Sequence, residues 1–315
     1  MDLSVIIVNY NTRVLLLDCL ASVYATVSPL LVEIFVIDNA STDGSVAAVQ
    51  EAFPGVRCIA NTCNLGFARA NNLAIRAASG RYLMLLNSDA QLTPSAAATI
   101  VSFMDANRDV AICGGQLLNR DGSLQNSIAN CPTLATELFS KSLLRRLFPA
   151  RYPGKEARFS QPVEVESIIG ACMVVAKEAV DRVGMLDERF FFFFEETDWC
   201  LQMKDSGWRV MFHPAARIYH LQGQSAKRVN VGARIEYWRS RYLYFRKHRS
   251  IAACFLLRCG LVMRLILSLT GQLATALFSA NSRSRLRINA TLLCWHLSGC
   301  PSSWGINGGM TGVTE

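Results

Sequence analysis

Two acidic constellations in this chain have the residue types and setting for chemistry. The first closes RYLMLLNSD, where an apolar run stops at Asn87, Ser88 and Asp89. Residues 82–86 have the length and continuous apolarity of a central strand covered on both faces. Asp89 therefore lies at a strand's carboxyl end, the edge at which open α/β sheets bind ligands. A carboxylate there suits a metal that holds a diphosphate. The second lies in ERFFFFFEETDWCLQMKDSGW, where a run of phenylalanines meets Glu195, Glu196 and Asp198. A carboxylate against apolar surface acquires a raised pKa and becomes a candidate proton acceptor. The plainer alternative is that these acids complement the dipole of a helix running from about Glu196 to Lys204 and stopped by Gly207. His220 ends WRVMFHPAARIYH, which reads as two short extended pieces around Pro214. It could join Asp89 on a metal, although a lone histidine is more often structural.

The elements that must position these groups follow from the pattern. Residues 5–12 (VIIVNYNT) and 32–45 (VEIFVIDNASTDGS) each run from an apolar strand into a polar turn that opens a helix. Leu16, Leu20 and Val23 recur at helical spacing after Thr12, an expected N-cap. The Ser41–Gly44 cluster offers capping oxygens and a flexible turn. VRCIA at 56–60 reads as a strand, 66–78 as an alanine-rich helix, and Thr93 with Pro94 as an N-cap and N1 pair. Successive βα units imply a mostly parallel sheet. The stretch 117–166 is the least defined; it reads as a flap, with LFSKSLLRRLF as either an amphipathic piece or a solvated basic loop.

With 315 residues, a net charge of +8 and a pI near 9.0, the chain has room for one large domain and a basic appendage. No basic n-region or apolar h-region precedes the first strand, so no cleavable secretory signal is expected and the catalytic part should stay in the cytoplasm. The eleven cysteines form no CxxC pair and mostly lie in apolar runs, as Cys113, Cys172 and Cys200 do, which predicts reduced, buried thiols. The four histidines lack zinc-finger spacing.

The charge is uneven, and the chain divides near residue 225. Arginines and aromatics interleave from Lys227 to Arg249, as on a nucleic-acid face or a membrane-interface helix. The apolar stretch 251–280 that follows favours the membrane. Arg258 and Arg264 inside it argue against a simple span and for a helix lying in the interface of an anionic bilayer. A buried helical pair and a true or re-entrant span are the alternatives. The tail from Pro301 is Gly- and Ser-rich and is expected to be disordered.

Taken together, SVIIVNYNT, VIDNASTDGS, NLGFARANN, LLNSDA, GACM, the LDERFF to EETDWC segment and YHLQGQS resemble the family 2 glycosyltransferases. The similarity is greatest to their rhamnosyltransferase-like branch and spans residues 3 to about 225. The resemblance implies an α/β GT-A nucleotide-diphospho-sugar transferase fold over 1–225, with a nucleotide-sugar half at 1–116 and an acceptor half at 117–225. A helical, membrane-associating extension would fill 226–315. It further implies that Val8, Asn9 and Tyr10, with Asp38 and Asn39, hold base and ribose, and that Asn64, Gly66 and Asn71 line the pocket. The family's Asp-x-Asp is here Asn87, Ser88, Asp89. Asp89 would ligate Mg²⁺ or Mn²⁺, Asn87 would make a weaker or indirect contact, and His220 matches the histidine that completes the metal site. One missing carboxylate need not abolish binding, because Mg²⁺ commonly takes only one or two. The family's base is the aspartate of a Glu-Asp pair. Glu196 is its positional match, and the longer side chain leaves Glu195 as the alternative.

The implied reaction is inverting sugar transfer. A carboxylate takes the proton of an acceptor hydroxyl, whose oxygen displaces the nucleotide diphosphate. Rhamnose from dTDP-rhamnose is the first expectation for the donor, with UDP-galactose, UDP-glucose and UDP-N-acetylglucosamine as alternatives. The expected acceptor is a polyprenyl-diphosphate-linked saccharide used in cell-surface polysaccharide synthesis. The expected setting is peripheral, on the cytoplasmic face of the cell membrane, with no nucleic-acid partner. A nicotinamide dehydrogenase fails because no GxGxxG follows Val8. A membrane-attached nucleotide-sugar binder without turnover is the remaining rival.

Overall fold

The computed structural model describes residues 1–148, 159–221, 231–276 and 280–306. The chain runs through Leu3–Asn9 (β1), Arg13–Thr26 (α1), Val32–Asp38 (β2), Ser45–Ala52 (α2), Arg57–Ala60 (β3), Gly66–Ala77 (α3), Tyr82–Asn87 (β4), Ala90–Leu92 (β5), Ala96–Ala106 (α4) and Val110–Leu118 (β6). It continues with Ile128–Ala129 (β7), Leu134–Leu138 (α5), Lys141–Leu147 (α6), Val163–Glu164 (β8), Ser167–Ile168 (β9), Cys172–Ala176 (β10), Lys177–Val183 (α7), Glu195–Asp205 (α8) and Arg209–His220 (β11). Three long helices close it: Val231–His248 (α9), Ile251–Ala276 (α10) and Ala280–Leu297 (α11). These elements form two compact units. One comprises Met1–Cys131, Arg158–Phe191 and Glu195–Ser225; the other comprises Pro132–Ala157, Phe192–Phe194 and Ala226–Glu315.

The first unit is built on a sheet in the order β3-β2-β1-β4-β10-β6-β11-β5, with β8 also on β11. The expected parallel sheet holds for β1 to β4 and for the β6–β11 pair. β10, β5 and β8 run against their neighbours. Strand periodicity explains the continuous apolar runs. Val5 and Ile7 face one side, packing with Leu16, Leu20 and Val23 of α1 and Ile100 of α4. Ile6 faces the other, with Ala74 and Ile75 of α3 and Trp199 and Met203 of α8. Both faces are dry, so both sets of side chains must be apolar.

Several boundaries differ from the sequence reading. β11 is one strand, not two pieces: its register against β6 slips between His213 and Arg217, and Pro214, which has no N–H to give, falls in that irregularity. Helix α4 starts at Ala96 behind Ser95, whose φ is +65°, instead of at Pro94. Thr93 Oγ1 donates to the Arg217 carbonyl (2.7 Å), so its hydroxyl ties β5 to β11 and caps nothing. Thr12 does precede α1, but its hydroxyl is also committed elsewhere. Part of the segment expected as a flap is fixed: Gln116, Gln125 and Ser127 are mutually hydrogen-bonded, and 134–147 contains α5 and α6. Residues 149–158 of that segment lie outside the described residues. All eleven cysteines are free thiols, and Cys113, Cys172 and Cys200 are buried as expected.

In the second unit α10 buries Leu257, Leu261 and Leu265, a stripe at i, i+4, i+8, and leaves Ile251, Phe255, Leu256, Met263, Ile266 and Leu267 exposed. Residues 251–272 are long and apolar enough to cross a membrane by length and composition, with mean hydropathy 2.0. The two arginines within this helix both find carbonyls at helix C-termini. Arg258 Nη2 donates to His296 O (3.5 Å) at the end of α11, and Arg264 Nη1 to Glu137 O (3.1 Å) in α5. Exposed Arg283, Arg285 and Arg287 follow on α11. Contrary to the expected disorder after Pro301, residues 301–306 are fastened. Arg239 Nη2 donates to the carbonyls of Pro301, Ser302 and Trp304, the last at 2.6 Å. Residues 307–315 lie outside the described residues.

Candidate active site

Parallel pairing sets the ends of β1, β2 and β4 level, with Asn9 opposite Asp38 and Val8 opposite Asn87. A buried chain of hydrogen bonds joins these ends. Asn9 Nδ2 donates to Asp38 Oδ1 (2.7 Å) and Ser41 Oγ (3.1 Å). Asn9 Oδ1 accepts from Thr12 Oγ1 (2.6 Å), which lies 2.8 Å from Ser88 Oγ. Asp38 Oδ2 accepts from the Ser41 N–H (2.8 Å). Asp38, Asn9 and Ser88, three of the residues that the resemblance assigned to the nucleotide, are thereby fixed together at one edge of the sheet, with Tyr10 exposed and Val8 half-buried.

The asparagines behave differently. Asn39 is buried, donates to Gly66 O (3.1 Å) and accepts from Asn61 Nδ2 (3.0 Å). Asn64 Oδ1 accepts from the Gly66 N–H (2.9 Å), and buried Asn71 donates to Phe67 O (2.9 Å) one turn back. Asn39 and Asn64 brace the turn before α3, and Asn71 bonds within the helix. Gly66 has φ +78°, and a side chain there would collide with the Phe191 carbonyl, to which the Phe67 N–H donates (2.8 Å).

Asp89 and His220 meet across the β5–β11 pairing, in which His220 is opposite Ala90. His220 Nε2 lies 3.4 Å from Asp89 Oδ1, and the Leu221 N–H donates to Asp89 O (3.0 Å). Gln125, which sequence reasoning missed, contacts the histidine twice: its Nε2 donates to His220 O (2.5 Å) and its Oε1 lies 3.2 Å from Nδ1. It sits in an irregular turn with no periodicity or motif to flag it. A carboxylate and an imidazole are a fitting donor pair for a divalent ion. Two ligands each about 2.1 Å from a shared ion at a right angle stand about 3 Å apart, close to the observed spacing. Among the described residues no cluster of three or more His, Cys, Asp or Glu side chains forms, so phosphate and water would fill the remaining positions.

Glu195 and Glu196 open α8 after Phe193 and Phe194, whose φ values of +72° and +70° put two successive aromatics in the left-handed region. Such strain costs about 1–3 kcal/mol per residue and persists only where the surroundings enforce it. Glu195 is 3% exposed, and its Oε2 has no hydrogen-bond partner. Burial, then the Glu196 charge, hold its pKa well above the usual glutamate range. Glu196 is half-buried, its pKa also raised by burial. It lies over the backbone of Gly170, where an ideal Cβ would stand 3.5 Å from its Cβ and Cγ. The neighbouring Ala171 carbonyl accepts the Asn87 N–H (3.0 Å), so Glu196 borders the strand end that carries Ser88 and Asp89. Asp198 accepts from Gln202 Nε2 (2.6 Å), and Arg189 pairs with Asp187 (2.6 Å).

The carboxyl edge of this sheet thus gathers a polar turn, a carboxylate–imidazole pair and two glutamates of raised pKa. The chain belongs to glycosyl transferase family 2, whose model matches residues 4–184. It is 26% identical over 265 residues to the N-acetylglucosaminyl-diphospho-decaprenol L-rhamnosyltransferase of Mycobacterium tuberculosis, covering 79% of this chain and 85% of that protein. It is 24% identical over 169 residues to the dTDP-rhamnosyl transferase RfbF of Shigella flexneri, covering 53% and 52%. Among solved structures, the mannosyltransferase PcManGT from Pyrobaculum calidifontis, in complex with GDP-Man and Mn²⁺, aligns with TM-score 0.55 at 17% identity, covering 94% of this chain and 86% of that one. The GT-A fold and the rhamnosyltransferase-like branch are as the sequence implied.

The state of Glu195 carries a stability prediction. A carboxyl whose folded pKa is raised favours folding while protonated. That contribution is lost as pH rises from the ordinary glutamate range through the folded pKa. Glu195→Gln is expected to raise the unfolding temperature at neutral pH, the gain shrinking towards pH 4. Thermal unfolding of both proteins across that range checks this, and a Gln variant less stable at neutral pH contradicts it.

Proposed function

We propose that this chain catalyses metal-dependent, inverting transfer of a sugar, foremost rhamnose from dTDP-rhamnose, to a polyprenyl-diphosphate-linked saccharide in cell-surface polysaccharide synthesis. The observation that carries this reading is the level carboxyl edge of β1, β2 and β4, with the Asp89–His220 pair and Glu196 along it. The L-rhamnosyltransferase and dTDP-rhamnosyl transferase names of the relatives support the donor, and the diphospho-decaprenol of the first supports the acceptor.

In this reading Asp38 and the turn after Val8 bind the nucleoside, and Asp89 with His220 holds Mg²⁺ or Mn²⁺. That ion would neutralise the charge growing on the departing diphosphate. Glu196 takes the proton of the acceptor hydroxyl as its oxygen attacks the anomeric carbon. Its raised pKa brings it nearer to neutral pH, where a general base works best. Glu195, sealed from water, keeps a proton and spares the site a second negative charge. Because one displacement inverts the anomeric carbon, one base suffices.

The second unit would hold the enzyme peripherally on the cytoplasmic face of the cell membrane. With Arg258 and Arg264 bonded to carbonyls, α10 offers an apolar face for the bilayer interface, and Arg283, Arg285 and Arg287 suit anionic headgroups.

Glu196→Gln is expected to lower kcat by about 10²- to 10⁴-fold while donor binding, read by calorimetry, stays intact. Activity that survives Glu196→Gln and is lost in Glu195→Gln would move the base to Glu195. Donor binding by the wild type with no turnover on any lipid-linked acceptor would replace catalysis by binding. For the membrane, flotation with phosphatidylglycerol vesicles should recover the wild type and lose the Phe255→Asp/Leu267→Asp variant. Equal recovery of both would remove α10 from the contact.

A further inference from the structure

Gln125 is built into the first unit as a clamp. It is 8% exposed. Its N–H donates to Leu117 O (2.8 Å), and its carbonyl accepts from Gln116 Nε2 (2.9 Å), both on β6, the strand paired with β11. The side chain is thus delivered from a segment tethered to β6 to the last residue of β11.

The orientation of the amide follows from its shorter contact. Facing the His220 carbonyl at 2.5 Å, it must present its N–H₂, since two acceptors at that distance would repel. Oε1 then faces His220 Nδ1 at 3.2 Å, and because Oε1 only accepts, Nδ1 carries the hydrogen. A neutral imidazole has one N–H, so Nε2 keeps its lone pair. That lone pair faces Asp89 Oδ1 across 3.4 Å, a spacing that a divalent cation shared by the two atoms would bridge.

We infer that Gln125 is a positioning residue that fixes His220 in the Nδ1–H tautomer and aims its Nε2 lone pair, with Asp89, at a divalent cation. This rests on the reading that Asp89 and His220 hold the metal. Metal-bound histidines are usually oriented by a hydrogen bond from the other ring nitrogen, and losing that partner typically weakens metal affinity. A glutamate at 125 would still accept from Nδ1–H, whereas leucine would fill the space without accepting.

The test uses the full chain without substrate. Long-range ¹⁵N–¹H imidazole spectra of the metal-free wild type are expected to show His220 as the neutral Nδ1–H tautomer. An Nε2–H tautomer, or an imidazolium paired with Asp89, at pH 7.5 would overturn the proposal. Mn²⁺ titration followed by electron paramagnetic resonance is expected to give a dissociation constant about 10- to 100-fold weaker for Gln125→Leu, with affinity kept in Gln125→Glu. His220→Asn separates the two levels. If it leaves Mn²⁺ affinity unchanged, His220 is no ligand and the reading beneath the proposal fails. If it weakens binding while Gln125→Leu does not, only the clamp fails. Should Gln125→Leu not fold, the wild-type tautomer decides.

Discussion

The buried hydrogen-bond chain from Asp38 through Asn9 and Thr12 to Ser88 is the constraint on which the rest of the site depends. Asn9 is fully buried, so each of its amide groups must be paired within the protein, and breaking one leaves an unsatisfied group costing about 1–3 kcal/mol. Its partners are Asp38 at the end of β2, Ser41 in the turn beyond it and Thr12 before α1, and Thr12 in turn meets Ser88 in the turn after β4. Asn9 and Thr12 together therefore tie three loop origins to one another. The apolar ladders beneath bring the strand ends level, and the asparagine network converts that level edge into fixed polar positions.

Stability and function pull apart at the start of α8. Two phenylalanines with left-handed backbones and a buried carboxyl without a hydrogen-bond partner are each unfavourable in isolation. They lead directly into α8, where Glu195 is buried and Glu196 lies along Gly170. A pair of like acids in one apolar setting cannot both ionise readily, and burial raises the pKa of both. The second unit resolves a similar tension differently: the charges within α10 are met by carbonyls at helix ends, which leaves its remaining face apolar.

Much of this was legible in the sequence because it rests on periodicity and strand-end chemistry. Strands covered on both faces must be apolar throughout, so β1, β2 and β4 announced themselves, and the polar residues that end them marked the edge. Local side-chain competition was harder to read. Thr12 and Thr93 resemble helix caps, yet their hydroxyls serve tertiary bonds to Asn9 and Arg217. Pro214 resembled a strand break and instead falls in a register slip. Asn39 and Asn71 match family positions but spend their amides on backbone carbonyls. The anchoring of 301–306 depends on Arg239, some sixty residues earlier, and no local pattern foretells it. Gln125 was invisible for the same reason: its meaning lies in pairing with residue 220.

Level strand ends that form a metal-assisted nucleotide-sugar site would bind donor and metal together. The most direct measurement is thermal unfolding of the full chain with a panel of nucleotide sugars, with and without Mn²⁺, because a ligand that binds the folded state raises its melting temperature by mass action. A shift with dTDP-rhamnose that requires Mn²⁺ and is lost in Asp89→Ala is expected. No shift with any donor, or an equal shift in Asp89→Ala, would contradict it.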